Sequence, residues 1–117
     1  MIMSAERSLS LPAAMVFAIG LGAAHAASGP AKNPLIGNAA AIDKGQAIYA
    51  QRCMICHGHR GGRGPDIFQN DLSDDDFLDT VMNGKDGSRG QMPAWSGTLT
   101  EKNVWQVGAF LKSRSQY

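Results

Sequence analysis

Apolar residues recur at helical intervals in three stretches of the chain. Between Asp43 and Cys53, the residues Gly45, Ile48, Tyr49 and Cys53 fall on one face. Asp43 with Gln46 three positions on reads as a capping box that opens this helix. A second stretch follows Ser73, which suits an N-cap; Asp74, Asp75 and Asp76 complement the positive helix start, and Leu72 with Phe77 can staple the cap. Its apolar face is Phe77, Leu78, Val81 and Met82, and it stops at Asn83-Gly84, where glycine suits the left-handed position past a helix end. The third stretch opens after Thr100, with Leu99 and Val104 as a staple, and runs to about Ser113 with Val104, Val107, Gly108 and Leu111 on one face. Gly45 and Gly108 interrupt helices at a cost of up to ~1 kcal/mol relative to alanine, which points to close helix crossings. Nothing alternates with period two over a useful length, so the class is all-α and no sheet is expected.

One apolar run lies outside this pattern. Leu9 to Ala24 follows Arg7 and leads to Ala24-His25-Ala26, a small-x-small cleavage site of the secretory kind. The run is shorter than the ~20 apolar residues a spanning helix needs, and Pro12 and His25 interrupt its ends. Residues 1–26 are therefore expected to be a cleaved signal peptide, with an uncleaved anchor as the competing reading; export would place the protein in the periplasm. Residues 27–41 read as a flexible leader, and residues 42–117 as the domain proper.

Composition narrows the function classes. A chain of 117 residues holds one domain, and a formal net charge of +1 gives no basic surplus for collecting phosphates, which removes a dedicated nucleic-acid binder. Charged residues at 18% alongside abundant Leu, Ile, Val and Phe argue against a disordered chain. Two cysteines cannot make a disulfide scaffold, but both fall within Cys53-Met54-Ile55-Cys56-His57.

This C-x-x-C-H is the attachment signature of c-type haem. Two thiols three positions apart can reach the two vinyl groups of one porphyrin, and the next residue then places an imidazole beneath the iron. A bare C-x-x-C would also suit a thiol redox site or half a zinc site. The redox reading needs a strand and a βαβ context, whereas the residues before Cys53 are helical in pattern. Zinc wants four ligands, and Cys53, Cys56, His57 and His59 are too crowded in sequence to arrange a tetrahedron easily. A haem also accounts for the long connections Gly58 to Leu72 and Lys85 to Thr98, which can pack against the porphyrin faces and enlarge a small core.

The chain resembles the class I c-type cytochromes. The resemblance is carried by Gly45-Gln46-Ala47-Ile48-Tyr49 leading into Cys53-Met54-Ile55-Cys56-His57, by Gly64-Pro65-Asp66-Ile67, by Gly90-Gln91-Met92-Pro93-Ala94-Trp95, and by Leu99-Thr100 before the last helix. It covers about residues 42–112. It implies a compact bacterial form of a small helical fold in which the first and last helices cross, one covalent haem c with iron between His57 and Met92, and one-electron transfer. By family position, Pro65 implies a backbone carbonyl that accepts the Nδ1 hydrogen of the proximal histidine; the plainer alternative is a Gly-Pro turn.

The residues themselves support the same ligands. Tethered by Cys56, neutral His57 is the expected proximal ligand. Met92 lies in a glycine-rich loop with Pro93 fixing the chain after it, a place where a thioether can be aimed at a metal. Met82 competes for that role but also belongs to the apolar face of the second helix. Met54 sits inside the attachment loop, and His59 follows the proximal ligand too closely to cross the ring; an open or His-filled sixth position stays as the alternative. Trp95 either donates its indole hydrogen to a haem propionate or covers the pocket edge. Arg52, Arg60, Arg63, Lys85 and Arg89 cluster near the haem-bearing loops, while Asp71, Asp74, Asp75, Asp76 and Asp79 cluster on the second helix. The basic set reads either as a solvated face or as a docking rim.

The expected function is thus a periplasmic electron carrier rather than an enzyme. Its redox partners would be a dehydrogenase, a cytochrome complex or a terminal oxidase, with the membrane reached only through a partner or an uncleaved anchor. A haem enzyme or sensor with an open sixth position, and a thiol redox or metal-binding protein, are the alternatives.

Overall fold

The computed structural model describes residues 31–88 and 90–115. The signal peptide expected over residues 1–26 lies outside the described residues, as does Arg89. Helix α1 spans Ala39–Ile48 and continues through a π-helical turn, Tyr49–Cys53, into the short helix α2, Met54–His57. After a loop with one 3₁₀ turn, Ile67–Gln69, come α3 (Asp74–Asn83), two strands β1 (Lys85–Gly87) and β2 (Gly90–Met92), and α4 (Glu101–Arg114).

Two boundaries match their capping chemistry. Ser73 Oγ accepts from the Asp76 amide at 3.1 Å, with Asp74, Asp75 and Asp76 in the first turn of α3. Thr100 caps α4 in a reciprocal box: its hydroxyl accepts from the Asn103 amide at 3.1 Å, and the Asn103 side chain accepts from the Thr100 amide at 3.0 Å. The start of α1 differs from expectation. Asn38, rather than Asp43, is the cap, its side-chain oxygen accepting from the Ala41 amide at 2.9 Å. Asp43 and Gln46 are exposed positions inside the helix. The alanines at 39–41 extend the helix because alanine has the highest intrinsic helix propensity.

The segment expected as a loose leader is tied down from residue 31 onward. The Ala31 and Asn33 amides donate to the carboxylates of Asp75 and Asp74, at 3.2 and 2.9 Å. Asn33, buried, donates from Nδ2 to the Trp105 carbonyl of α4 at 2.8 Å, and its Oδ1 accepts from the Leu35 amide at 2.9 Å. Both polar atoms of this buried amide side chain are therefore satisfied, and they join the strap to the middle of α4 while the backbone joins it to the start of α3.

An expected absence of sheet also needs correction. Strands β1 and β2 pair antiparallel, Lys85 with Met92, Asp86 with Gln91 and Gly87 with Gly90. Three residues per strand, almost all exposed, are too few to display an alternating pattern. The class stays all-α, with this hairpin as a loop decoration.

The core lies where α1 crosses α4. A Cβ on Gly45 would collide with the Gln106 carbonyl, so the glycine is what allows the two backbones to touch. Tyr49, Phe68 and Phe110 form an aromatic cluster with centroids 5.1–5.7 Å apart, Phe68 meeting both others edge-on and Tyr49 tilted against Phe110. Ile48, Phe77, Val81, Leu99, Val104, Val107 and Leu111 extend this cluster, and Ala41, Trp105 and Ala109 are buried as well. Gly108 faces the strap and α3, not α1: a Cβ there would meet Asn33 Nδ2 at 2.9 Å and the Phe77 ring at 3.4 Å. No described helix is long and apolar enough to cross a membrane.

Candidate haem site

The attachment motif straddles the end of the first helical segment. In the π-helical turn, the Met54 amide donates to the Tyr49 carbonyl five residues back, so Cys53 is rotated relative to the register that α1 alone would give. Cys53, Cys56 and Met54 are half-buried, His57 is buried at 6% exposure, and Ile55 between the cysteines is 84% exposed. Both cysteines are free thiols. Burial foremost, and then the neighbouring Cys56, pushes the Cys53 thiol up to about 11. That is opposite to the lowered thiol pKa of a reactive redox cysteine. Among the described residues no three His, Cys, Asp or Glu side chains converge as a metal cage would require.

The loop after His57 is folded back onto the motif. The Gly61 and Gly64 amides donate to the carbonyls of His57 and Cys56, at 2.9 and 2.8 Å, and the Tyr49 hydroxyl donates to the Gly58 carbonyl. Burial foremost pushes the Tyr49 hydroxyl up to about 12, with Cys53 and Asp66 adding to the shift. His57 Nδ1 lies 2.8 Å from the Pro65 carbonyl. A carbonyl only accepts, so Nδ1 carries the hydrogen and Nε2 keeps the lone pair that an iron would take. Gly64 lies against the ring; a Cβ there would come within 2.7 Å of Cε1 and 2.8 Å of Nδ1. The donor set, two thiols beside one imidazole of fixed tautomer, fits a covalently held haem.

Later in the chain, Met92 ends β2, half-buried and packed against the core, with exposed Pro93 after it. The next residues add to the end of α3: the Trp95 amide donates to the Val81 carbonyl at 2.9 Å and the Ser96 amide to the Met82 carbonyl at 3.1 Å. Trp95 is half-buried against the core, and its carbonyl accepts from Thr98 and Leu99 at 2.9 and 2.8 Å. Met82 packs on the core from within α3 and borders an open hollow of about 470 Å³ lined with Asp75, Asp76, Asp79 and Glu101. His59, Arg52, Arg60, Arg63 and Lys85 are exposed. Sequence reasoning did not single out Ile55, Asn33, Gly64's contact with the imidazole, or the π-helical turn. For Ile55 a signal existed, since helical spacing puts it nearly opposite Cys53 and His57; Asn33 and the Gly64 contact depend on approach through space, and the π-helical turn leaves no mark in composition.

A helical domain whose first and last helices cross, with C-x-x-C-H at the end of the first, defines a class I c-type cytochrome domain. The chain belongs to the family described as cytochrome c oxidase, cbb3-type, subunit III, which matches residues 40–111. It is 28% identical over 78 residues to the cbb3-type cytochrome c oxidase subunit FixP of Bradyrhizobium sp. (strain ORS 278), covering 59% of this chain and 26% of that protein. It is 28% identical over 92 residues to cytochrome c550 of Pseudomonas aeruginosa, covering 72% of this chain and 63% of that protein. The chain thus spans about a quarter of the oxidase subunit and less than two thirds of the cytochrome c550. Among solved structures, cytochrome cL from the methylotroph Methylophaga aminisulfidivorans MPT has the same fold, with a TM-score of 0.61 at 22% identity over 70% of this chain and 58% of that one. Covalent haem c is therefore the cofactor of this domain.

Proposed function

We propose that this domain is an exported, periplasmic one-electron carrier and not an enzyme. In this reading it shuttles between a donor such as a dehydrogenase or cytochrome complex and an acceptor such as a terminal oxidase. The observation that carries the proposal is the hydrogen bond between His57 Nδ1 and the Pro65 carbonyl, which presents Nε2 as a fixed ligand beside Cys53 and Cys56. Haem c, once attached, supplies a reversible one-electron couple at its iron. Cys53 and Cys56 would hold the ring through thioethers, His57 would be the proximal ligand to its iron, and Met92 would supply the sixth. The Pro65 carbonyl keeps the imidazole oriented and strengthens it as a donor. Trp95, whose backbone is pinned to α3 immediately after the Met92 segment, would cover the edge of the pocket or donate to a propionate. With His57 and Met92 both given to the iron, substrate would have no place on it, and a thioether partner would favour a raised potential.

The test is spectroscopic and potentiometric. The ferric protein should show the weak red-region charge-transfer band of thioether ligation, and its spectrum should ignore carbon monoxide. Met92→Ala should abolish the band and lower the potential, by ~59 mV for each tenfold loss of ferrous preference. A band that survives Met92→Ala but is lost in Met82→Ala would transfer the ligand to Met82. Carbon monoxide binding by the wild type would instead favour the open-site enzyme or sensor.

A further inference from the structure

Gly84 closes α3 and lies against the stretch that carries Met92. Its φ of 79° with ψ of 173° belongs to a backbone region that essentially only glycine adopts. A Cβ there would come within 2.7 Å of the Met92 carbonyl oxygen, 2.9 Å of the Ala94 nitrogen and 3.1 Å of the Pro93 carbonyl carbon. All three are backbone atoms, which cannot swing aside as the tip of a side chain can. Hydrogen bonds hold this approach from both directions. The Gly84 amide donates to the Thr80 carbonyl at 2.9 Å, closing the helix, while Trp95 and Ser96 donate to the Val81 and Met82 carbonyls just before it. The hairpin adds a further constraint, since Lys85 pairs with Met92 itself.

We propose that Gly84 is a positioning residue for the sixth iron ligand: its missing side chain lets the Met92 backbone seat on the last turn of α3, which limits the freedom of the thioether to leave the iron. The inference rests on the reading of Met92 as that ligand. Contact, and not backbone conformation alone, sets Gly84 apart. Gly37 shares the φ of 79°, yet a Cβ there would meet nothing within 4 Å, so Gly37→Ala tests a side chain at positive φ without the collision.

The experiment titrates the ferric holoprotein with imidazole, which binds only when the sixth position opens, while following the charge-transfer band. Gly84→Ala should bind imidazole about tenfold or more tightly than wild type, because apparent affinity scales with the fraction of molecules in the open state. Gly37→Ala should lose thermal stability yet bind imidazole as wild type does. In a Met92→Ala background, where the position is already open, adding Gly84→Ala should change the affinity no further. Equal affinity in wild type and Gly84→Ala, with tight binding by Met92→Ala, would overturn the role of Gly84 and leave Met92 as ligand. An intact band in Met92→Ala would overturn the ligand reading itself. A wild-type measurement covers the case in which Gly84→Ala does not fold: saturating imidazole should speed hydrogen exchange at the Trp95 and Ser96 amides. Unchanged exchange there would show that the seat on α3 and the sixth ligand are independent, which also overturns the proposal.

Discussion

His57 is confined by atoms that carry no side-chain chemistry of their own. The Pro65 carbonyl takes its Nδ1 hydrogen at 2.8 Å, and the bare Cα of Gly64 leaves the ring its place. Pro65→Ala retains a carbonyl and should have a small effect, whereas Gly64→Ala forces a methyl against the imidazole. Overpacking of that kind costs about 1–3 kcal/mol, so denaturant unfolding of the holoprotein should show a loss of that order together with a shifted potential. Tyr49, 1% exposed, makes a prediction about alkaline pH. Its hydroxyl titrates near 10 in an unfolded chain and is pushed up to about 12 in the folded one, mainly by burial. The folded state therefore holds the proton more tightly, and the associated stability is complete below about pH 10 and is lost as pH rises toward 12. Tyr49→Phe should flatten that decline in a pH series of unfolding curves, while removing a hydrogen bond worth about 1 kcal/mol at neutral pH.

Among the secondary elements, those whose capping residue precedes an amphipathic pattern were legible and those joined through space were not. Ser73 and Thr100 mark the starts of α3 and α4 because their hydroxyls accept helix amides wherever those helices form. Asn38 does the same for α1, yet Ala39-Ala40-Ala41 carries no amphipathic period to signal that a helix follows. The hairpin is too short and too glycine-rich for a strand pattern, and the π-helical turn shifts hydrogen bonds by one residue without any mark in composition. The attachment motif is legible because its three residues are neighbours in the chain; the seat of Met92 on α3 is not, because Gly84 and Met92 meet only in the folded protein. The strap belongs to the same unreadable kind. Asn33→Ala should cost about 1–2 kcal/mol, since a buried amide that satisfies the Trp105 carbonyl is lost, and calorimetry of the holoprotein measures it.

For the molecule as a whole, charge and apolar exposure are arranged unequally around the haem motif. Exposed Ile55 projects from between the cysteines, with Arg52, Arg60 and Arg63 exposed in the adjoining segments, while Asp75, Asp76, Asp79 and Glu101 line a hollow beside α3. A transient redox encounter buries less than ~1,200 Å², so charges at the rim act chiefly on the association rate. Arg60→Glu/Arg63→Glu should slow reduction by an acidic donor at low salt and leave the potential nearly fixed. Wild-type rates should fall as the Debye length drops below ~10 Å; rates indifferent to salt would instead indicate apolar docking around Ile55. Haem should also govern folding, because the core of so short a domain is small: Cys53→Ala/Cys56→Ala should lose both haem and helix content by circular dichroism. The crossing of α1 with α4 adds an order in time. Gly45 can meet Gln106 only after nearly the whole domain has been made. Until α4 arrives, the thiols of Cys53 and Cys56 stay open to whatever machinery joins them to the ring. A chain stopped at Gly97 should accordingly acquire covalent haem at both cysteines, yet lack the charge-transfer band, with modification complete and architecture absent.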